Sequence, residues 1–491
     1  MSEPRHNERR RVIVIIGGGV SGLAAAHRLI ELSARRPDPP EVLLLEASSQ
    51  TGGIIRTTRR DGFLLEAGPD SFISEKPAAV ELAQRLGLAS RLIETNAGHR
   101  RSFIVRQGRL YAVPEGFQLL APSRIWPFVT TGIFSWTGKA RMALDLVLPR
   151  RVSRNGDDES LAQFVRRRLG REALERMAQP MVGGIYTADP ENLSLRATMP
   201  RFLEMERSHR SLIRAMWKQR RQQQAAEASG TSGARYGLFL SFDEGMRVLS
   251  DALAARLAAV TVRLNTRVEA LAHDAASGQW RIRTNSGETF TADMVCLALP
   301  AYASAKLLRD ADAQLAEELE AIPYASTATV NLAYKRSDIP HPLDGFGFVV
   351  PFVERRSILA CTFSSVKFAG RAPDGHALLR AFVGGALQPE MFALDEEEML
   401  AKARRDLRDL LGIEAPPLFA HTEKWPRSMA QYHLGHVERV RRIRQRLQKL
   451  PSLKLAGNAF DGAGVPDCVR SGETAAEEIM MNCIGLQLSV A

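Results

Sequence analysis

The sequence predicts an α/β fold, α+β when the whole chain is counted, and three observations carry that prediction. Val12–Ile16 (VIVII) is an apolar run that feeds a glycine turn, Gly17–Gly22, and then a helix-forming stretch, Leu23–Ala34. A second strand, Val42–Glu46, follows across the loop RRPDPP, so the chain opens on a β–α–β unit. Much further on, residues 259–274, 280–300 and 327–385 alternate polar and apolar side chains as antiparallel strands do. The 491 residues are enough for two or three domains and a large core.

The remaining elements follow in order. Ala78–Ile93 reads as an amphipathic helix with Val80, Leu82, Leu86 and Leu92 on one side. From Arg100 to Arg151 the chain mixes apolar, aromatic and basic residues, with Glu115 and Asp145 as its acids. Such a stretch fits either an interfacial membrane patch or a helical insert packed on its own protein. Lys218–Arg235 is polar and glycine-tipped and reads as a mobile loop. The chain closes with a strand, Leu453–Ala456, a glycine loop, and a helix from Ser471.

Composition narrows the class. Hydrophobic residues make up 45% and charged residues 25%, an ordinary soluble balance. No uncharged apolar run reaches the roughly 20 residues that span a bilayer. The start, MSEPRHNERRR, is basic but lacks the apolar centre of a secretory signal, which argues for the cytoplasm. Cys296, Cys361, Cys468 and Cys483 are scattered without a C-x-x-C pair, so neither a disulfide framework nor a metal site is expected. The net charge of +11 favours anionic partners, yet no nucleic-acid module is present.

The glycine turn carries chemistry. Gly17, Gly19 and Gly22 fit G-x-G-x-x-G, with Gly18, Val20 and Ser21 between them. The first glycine allows the tight turn, the second lets a pyrophosphate approach the backbone, and the third lets helix and strand pack closely. The helix then offers free N–H groups to the phosphates. Glu46 stands 24 residues after Gly22, where an acid accepts hydrogen bonds from ribose hydroxyls and would repel the extra phosphate of NADP. NAD and FAD both remain open at this point. A second glycine pair, Gly52–Gly53, lies just beyond the acid with Arg56 nearby.

That doublet resembles the FAD-binding pattern of the amine-oxidase-like flavoproteins. The segment GNAFDGAGVPDCVRSGETAAEEI (457–479) resembles their closing flavin loop. Four further stretches resemble the protoporphyrinogen/coproporphyrinogen oxidases of haem biosynthesis: LLEAGPDSFI (64–73), QPMVGGIYTADPENLSL (179–195), DGFGFVVP with CTFSSVKFAGRAPDG (344–375), and EKWPRSMAQYHLGH (423–436). The resemblance runs over nearly the whole chain.

It implies a Rossmann-like FAD-binding domain, a sheet-containing substrate domain and a helical insert. The FAD-binding domain is expected from 10–95, 236–300 and 448–485. The insert, in some family members a membrane-facing part, is expected at 96–200, a connecting helix and the mobile loop at 201–235, and the substrate domain at 301–447. Non-covalent FAD contacts carry over to Gly17–Gly22, Glu46, Ala47, Gly53, Ile54, Gly68, Pro69, Asp70 and Ser71. They also carry over to Val268, Trp425, Asp461, Gly462, Ala463, Gly464 and Val465. Phe346, Val349, Leu359 and Phe382 fall on the family's substrate-clamping positions, and Gly184 would let the macrocycle approach closely.

At Ser102 the protoporphyrinogen branch carries an arginine that grips a propionate. Here Arg100 and Arg101 precede the serine instead. That departure, and Asp70, tilt the expectation toward coproporphyrinogen III. The implied reaction is a six-electron oxidation in three steps, each passing hydride to flavin N5, with dioxygen reoxidising the flavin to give peroxide. Such chemistry needs positioning more than an acid–base pair, so no protein acid or base is named. Cys468, His433 and His436 read as structural residues. The expected partners are the porphyrinogen and dioxygen, with peripheral membrane contact and a homodimer left open. The rivals are an amine oxidase or carotenoid desaturase of the same fold, a flavin-bearing membrane-docking protein without turnover, and an NAD-dependent dehydrogenase.

Overall fold

A computed structural model describes residues 10–114, 117–118, 121–151, 158–228 and 238–488. The strand Val12–Ile16 lies at the centre of a five-stranded parallel sheet. Across the sheet the order is Val260–Arg263, Glu41–Leu45, Val12–Ile16, Met294–Leu297, Leu453–Leu455. Strands buried on both faces need continuous apolar runs, which is why VIVII and VLLL do not alternate. Ile13 and Ile15 enter one core with the helix Val20–Ser33 and the C-terminal helix Val465–Leu488. Val14 and Ile16 enter another, with Leu271, Trp280 and Ile282 of a three-stranded antiparallel sheet. The first and last helices cross tightly: a Cβ on Gly472 would lie 2.1 Å from the Ser21 carbonyl oxygen.

A second sheet has seven strands, in the order Phe419–Ala430, Tyr324–Lys335, His376–Gly384, Ile358–Phe363, Gly347–Val349, Phe103–Arg106, Arg109–Ala112. One of its faces packs Val330, Leu332, Phe348, Ala381 and Val383 beneath the helix Glu396–Leu411. The other face carries Thr329, Val349, Ala360 and Phe382 as cross-strand neighbours.

Several expectations need correction. Phe103–Arg106 and Arg109–Ala112 fall within the 96–200 stretch expected as a helical insert, yet they hydrogen-bond into the second sheet. Helices begin only at Ile125, and they continue through Pro200–His209 and Leu212–Ala228. The first half of the expected 218–235 loop is therefore helix, and 229–235 lies outside the described residues. So do residues 1–9 of the basic start, and Glu115. The helix from Ala78 stops at Arg85, because Gly87 turns the chain at φ +76°. Leu92 belongs instead to a short strand, Leu92–Glu94. The opening helix begins at Val20 and the closing one at Val465, each earlier than expected, directly on its glycine loop.

Within the helical layer Arg168 and Asp145 are fully buried as an ion pair. Arg168 donates through Nε to Asp145 at 2.7 Å, and Asp145 also accepts from the Ser211 hydroxyl and the Ile213 amide.

Candidate active site

The glycine turn has the geometry its spacing demands. Gly17 takes φ +107°, and a Cβ there would sit 2.5 Å from the Ala298 carbonyl oxygen. A Cβ on Gly22 would lie 1.9 Å from the Gly17 carbonyl oxygen, so only glycine lets helix and strand approach this closely. Above Gly19 there is no atom within 4 Å. Gly19 caps the helix without a side-chain bond, and no acid stands in the first turn. The helix therefore presents unsatisfied N–H groups and its positive end to open space, as a pyrophosphate requires. Val20 and Ser21 form that first turn.

Glu46 holds the turn from the next strand. Its carboxylate accepts from the Gly18 amide at 2.6 Å and from the Ser48 amide and hydroxyl at 2.8 and 2.6 Å. Ala47 beside it is exposed. The second glycine pair docks on the first, with the Gly52 amide donating to the Gly18 carbonyl at 2.8 Å. A Cβ on Gly53 would come 3.2 Å from the Gly19 Cα. Ile54 is left 43% exposed at this junction. Gly68 crosses it so closely that a Cβ would meet the Ile54 carbonyl oxygen at 1.7 Å. Val268 opens the strand Val268–His273, half-buried.

The closing loop is equally constrained. Gly462 has φ +151°, and a Cβ there would lie 2.3 Å from the Asp467 carboxylate. Asp467, nearly buried in the first turn of the last helix, pairs with Lys76 at 2.6 Å. Asp461 pairs through its carboxylate with Arg444 at the surface. Ala463 and Gly464 lead directly into the helix at Val465. Cys468 is buried, and burial pushes its thiol up to about 12. His436 stacks on Tyr432 at 4.2 Å, and burial lowers it to about 4, so it is neutral near pH 7. Burial also lowers His433.

On the side of the second sheet, Gly184 and Val349 face each other, with a Cβ on Gly184 coming 3.7 Å from Val349. Leu359 sits at a bulge and lies 3.3 Å from where Gly385 would carry a Cβ. Phe346 is tied by its backbone to Arg101 and Phe363. Phe382 lies under the Arg380 guanidinium at 4.7 Å. Trp425 donates its indole N–H to the Ala67 carbonyl at 2.8 Å and stacks under Arg56 at 5.2 Å. Two polar residues are committed to protein partners. Arg101 pairs with the Asp344 carboxylate at 2.7 Å and donates to its carbonyl, half-exposed beside Ser102. Asp70 pairs with Lys367 at 2.9 Å and accepts from Ser71 at 2.8 Å. Burial alone would raise Asp70, but Lys367 and Arg380 overcome it and hold its carboxyl well below the usual carboxylate range.

Sequence reading missed Lys367, Arg380, Asn331 and Thr329. Arg380 left one signal, a lone charge in the apolar strand ALLRAFVGG. Glu66 was also passed over; burial pushes it up to about 7 against the Met246 amide, the Thr57 hydroxyl and two arginines that lower it.

Residues 20–480 match the family described as flavin containing amine oxidoreductase. The chain belongs to that family. It is 34% identical over 462 residues to the coproporphyrinogen III oxidase of Bacillus subtilis (strain 168), covering 94% of this chain and 96% of the relative. The corresponding enzyme of Propionibacterium freudenreichii subsp. freudenreichii is 37% identical, over 94% of this chain and 89% of its own. Bovine protoporphyrinogen oxidase is 31% identical, over 94% and 96%. A crystal structure from Exiguobacterium sp. 255-15, provisionally assigned as a protoporphyrinogen oxidase, superposes with a TM-score of 0.84 at 31% identity, covering 96% and 99%.

As a member of this family the protein is an FAD-dependent oxidoreductase, and the cradle fits the cofactor. The open helix end above Gly19 suits a pyrophosphate, and the Glu46 carboxylate suits a ribose. FAD, when bound, supplies the two-electron acceptor.

Proposed function

We propose that the protein oxidises a porphyrinogen to a porphyrin, with coproporphyrinogen III as the preferred substrate and dioxygen as the final electron acceptor. Full-length similarity to coproporphyrinogen III oxidases carries this reading. The sheet face with Val349, Ala360 and Phe382 supports it as an apolar wall for a macrocycle, opposite Gly184. Arg101 is the candidate for a propionate, which it would take in exchange for Asp344. That pair is half-exposed and holds by little in water, so a carboxylate ligand competes on nearly equal terms. No residue is needed as acid or base. The chain's part is to hold the macrocycle with one meso carbon toward the cofactor and keep water from that carbon.

Parallel initial rates with coproporphyrinogen III and protoporphyrinogen IX, read by porphyrin fluorescence in air, test this. Faster coproporphyrinogen turnover supports the preference. Faster protoporphyrinogen turnover reverses it, and oxidation of a simple amine instead would favour the amine-oxidase reading.

The helical layer carries a second, compatible reading as a peripheral membrane contact. Trp126 and Trp136 are 75% and 72% exposed, and Ile125 and Val147 of the same layer are exposed as well. Pro149, Arg150, Arg207 and Arg210 line a cationic hollow of about 440 Å³ just beyond Val147 in the chain. Among the described residues no helix is long and apolar enough to cross a membrane. Co-sedimentation with anionic vesicles, lost in Trp126→Ser/Trp136→Ser, would support the contact. Equal pelleting of the variant would end it. Light scattering of the same sample reads whether the protein is a homodimer.

A further inference from the structure

Three successive carbonyls of one segment are each held by side chains from one face of the second sheet. Asn331 donates to the Glu66 carbonyl at 3.2 Å. Thr329 and Trp425 both donate to that of Ala67, at 2.9 and 2.8 Å. Arg380 donates to that of Gly68. Beyond them, Ser241 donates to the Asp70 carbonyl at 2.8 Å, and Lys367 takes the Asp70 carboxylate. Thr329, Asn331 and Arg380 share the face that bears Phe382: Thr329 is its cross-strand partner, and Asn331 pairs with Arg380.

Arg380 differs from the other carbonyl donors. It is charged and only 3% exposed, and its Nε has no hydrogen-bond partner. Burying a cation is costly, and a neutral donor such as Thr329 satisfies a carbonyl without that cost. The carbonyl alone therefore does not account for the charge. Burial works against that charge; Asp70, on the same turn, offsets part of the cost, and Glu66, itself pushed toward the neutral form, offsets less. Arg380 thus holds the Gly68–Ser71 turn by its hydrogen bond to the Gly68 carbonyl, and the Asp70 carboxylate favours its charge there.

The turn in turn touches the nucleotide cradle. Gly68 packs on the Ile54 carbonyl, and neighbouring Gly53 packs on Gly19. Side chains of the second sheet thus hold this strap of backbone, and close backbone approaches carry on from the strap to the glycine turn.

We infer that Arg380 is a positioning residue: acting through Gly68 and Asp70, it fixes the Gly68–Ser71 turn and so sets the gap between the substrate-facing sheet and the nucleotide domain. The porphyrinogen reading enters only as the identity of the molecule that fills the gap.

The test uses holoenzyme with Arg380→Met, Arg380→Lys, Arg380→Ala and the isosteric Asp70→Asn. Two readouts need no substrate: the visible circular dichroism of bound FAD and the affinity for FAD. A third is the rate of anaerobic flavin reduction at saturating coproporphyrinogen III. Arg380→Met should alter the flavin signal and slow reduction about 100-fold, as small misplacements do, with KM changed less than about threefold. Arg380→Lys should recover part of the rate, and added guanidinium should restore about tenfold to Arg380→Ala. Asp70→Asn should shift the flavin signal in the same direction. A folded Arg380→Met with wild-type flavin signal and rate would overturn the inference. If Arg380→Met does not fold, an Asp70→Asn protein with wild-type flavin signal and FAD affinity would overturn it equally. Wild-type flavin that no porphyrinogen reduces would instead sink the substrate reading, leaving the two substrate-free readouts to decide Arg380.

Discussion

Single residues decide whether the cradle exists. Gly19 faces open space at a helix end, so Gly19→Asp would fold but place a carboxylate where phosphates belong. It should purify as apoprotein; a flavin content equal to wild type would refute the assignment. Arg101→Ala should raise KM more than it lowers kcat if Arg101 releases Asp344 to hold a carboxylate. An unchanged KM would leave Arg101 as a brace for Asp344. Two buried titrating groups act on stability with opposite signs. His436 falls to about 4 from an ordinary 6.5, so the unfolded state binds its proton first as pH drops. Its contribution is complete above pH 6.5 and is lost toward pH 4, by up to about 3 kcal/mol. Glu66 rises to about 7 from 4.5, so it costs stability as pH rises through that window. Glu66→Gln should therefore raise Tm at pH 8 and do less at pH 5, because the amide oxygen still accepts from Met246 while the Thr57 hydroxyl, which faces the other oxygen, turns to accept from the new NH2. An equal change at both pH values would contradict the burial argument.

At the scale of elements, the sequence made legible whatever repeats a local rule. The β–α–β opening, the strand Leu453–Leu455 and the alternating strands of the second sheet all follow from periodicity and glycine spacing. What it hid depends on partners distant in the chain. Phe103–Arg106 looked like the start of an apolar-basic insert, and only its pairing with Gly347–Val349 makes it a sheet strand. The sequence placed Asp70 and Trp425 near the cofactor by resemblance, yet it could not show Lys367 or Arg380 opposite them. No spacing links positions some 300 residues apart. The helical layer makes its own prediction. Arg168 and Asp145 are fully buried together, so removing Asp145 leaves Arg168 with Glu206 at 3.6 Å as its remaining carboxylate and leaves the Ser211 hydroxyl and the Ile213 amide without their acceptor. Asp145→Ala should cost about 3–5 kcal/mol in urea unfolding. A loss below about 1 kcal/mol would mean that water reaches the pair.

At the scale of the whole molecule, the two largest sheets, of five and seven strands, are bridged by a strap of backbone. The parallel sheet and its two glycine loops form the cradle, and the mixed seven-stranded sheet supplies a wall with an apolar patch and a few fixed donors. The strap from Ile54 to Ser71 binds them, so a reaction that depends on placement rather than acid–base groups is what this architecture can perform. The measurement that tests this most directly is the pair of initial rates with coproporphyrinogen III and protoporphyrinogen IX on flavin-loaded protein. Porphyrin should form with both and faster with coproporphyrinogen III. Flavin that neither porphyrinogen reduces, in a protein that does oxidise an amine, would contradict the account.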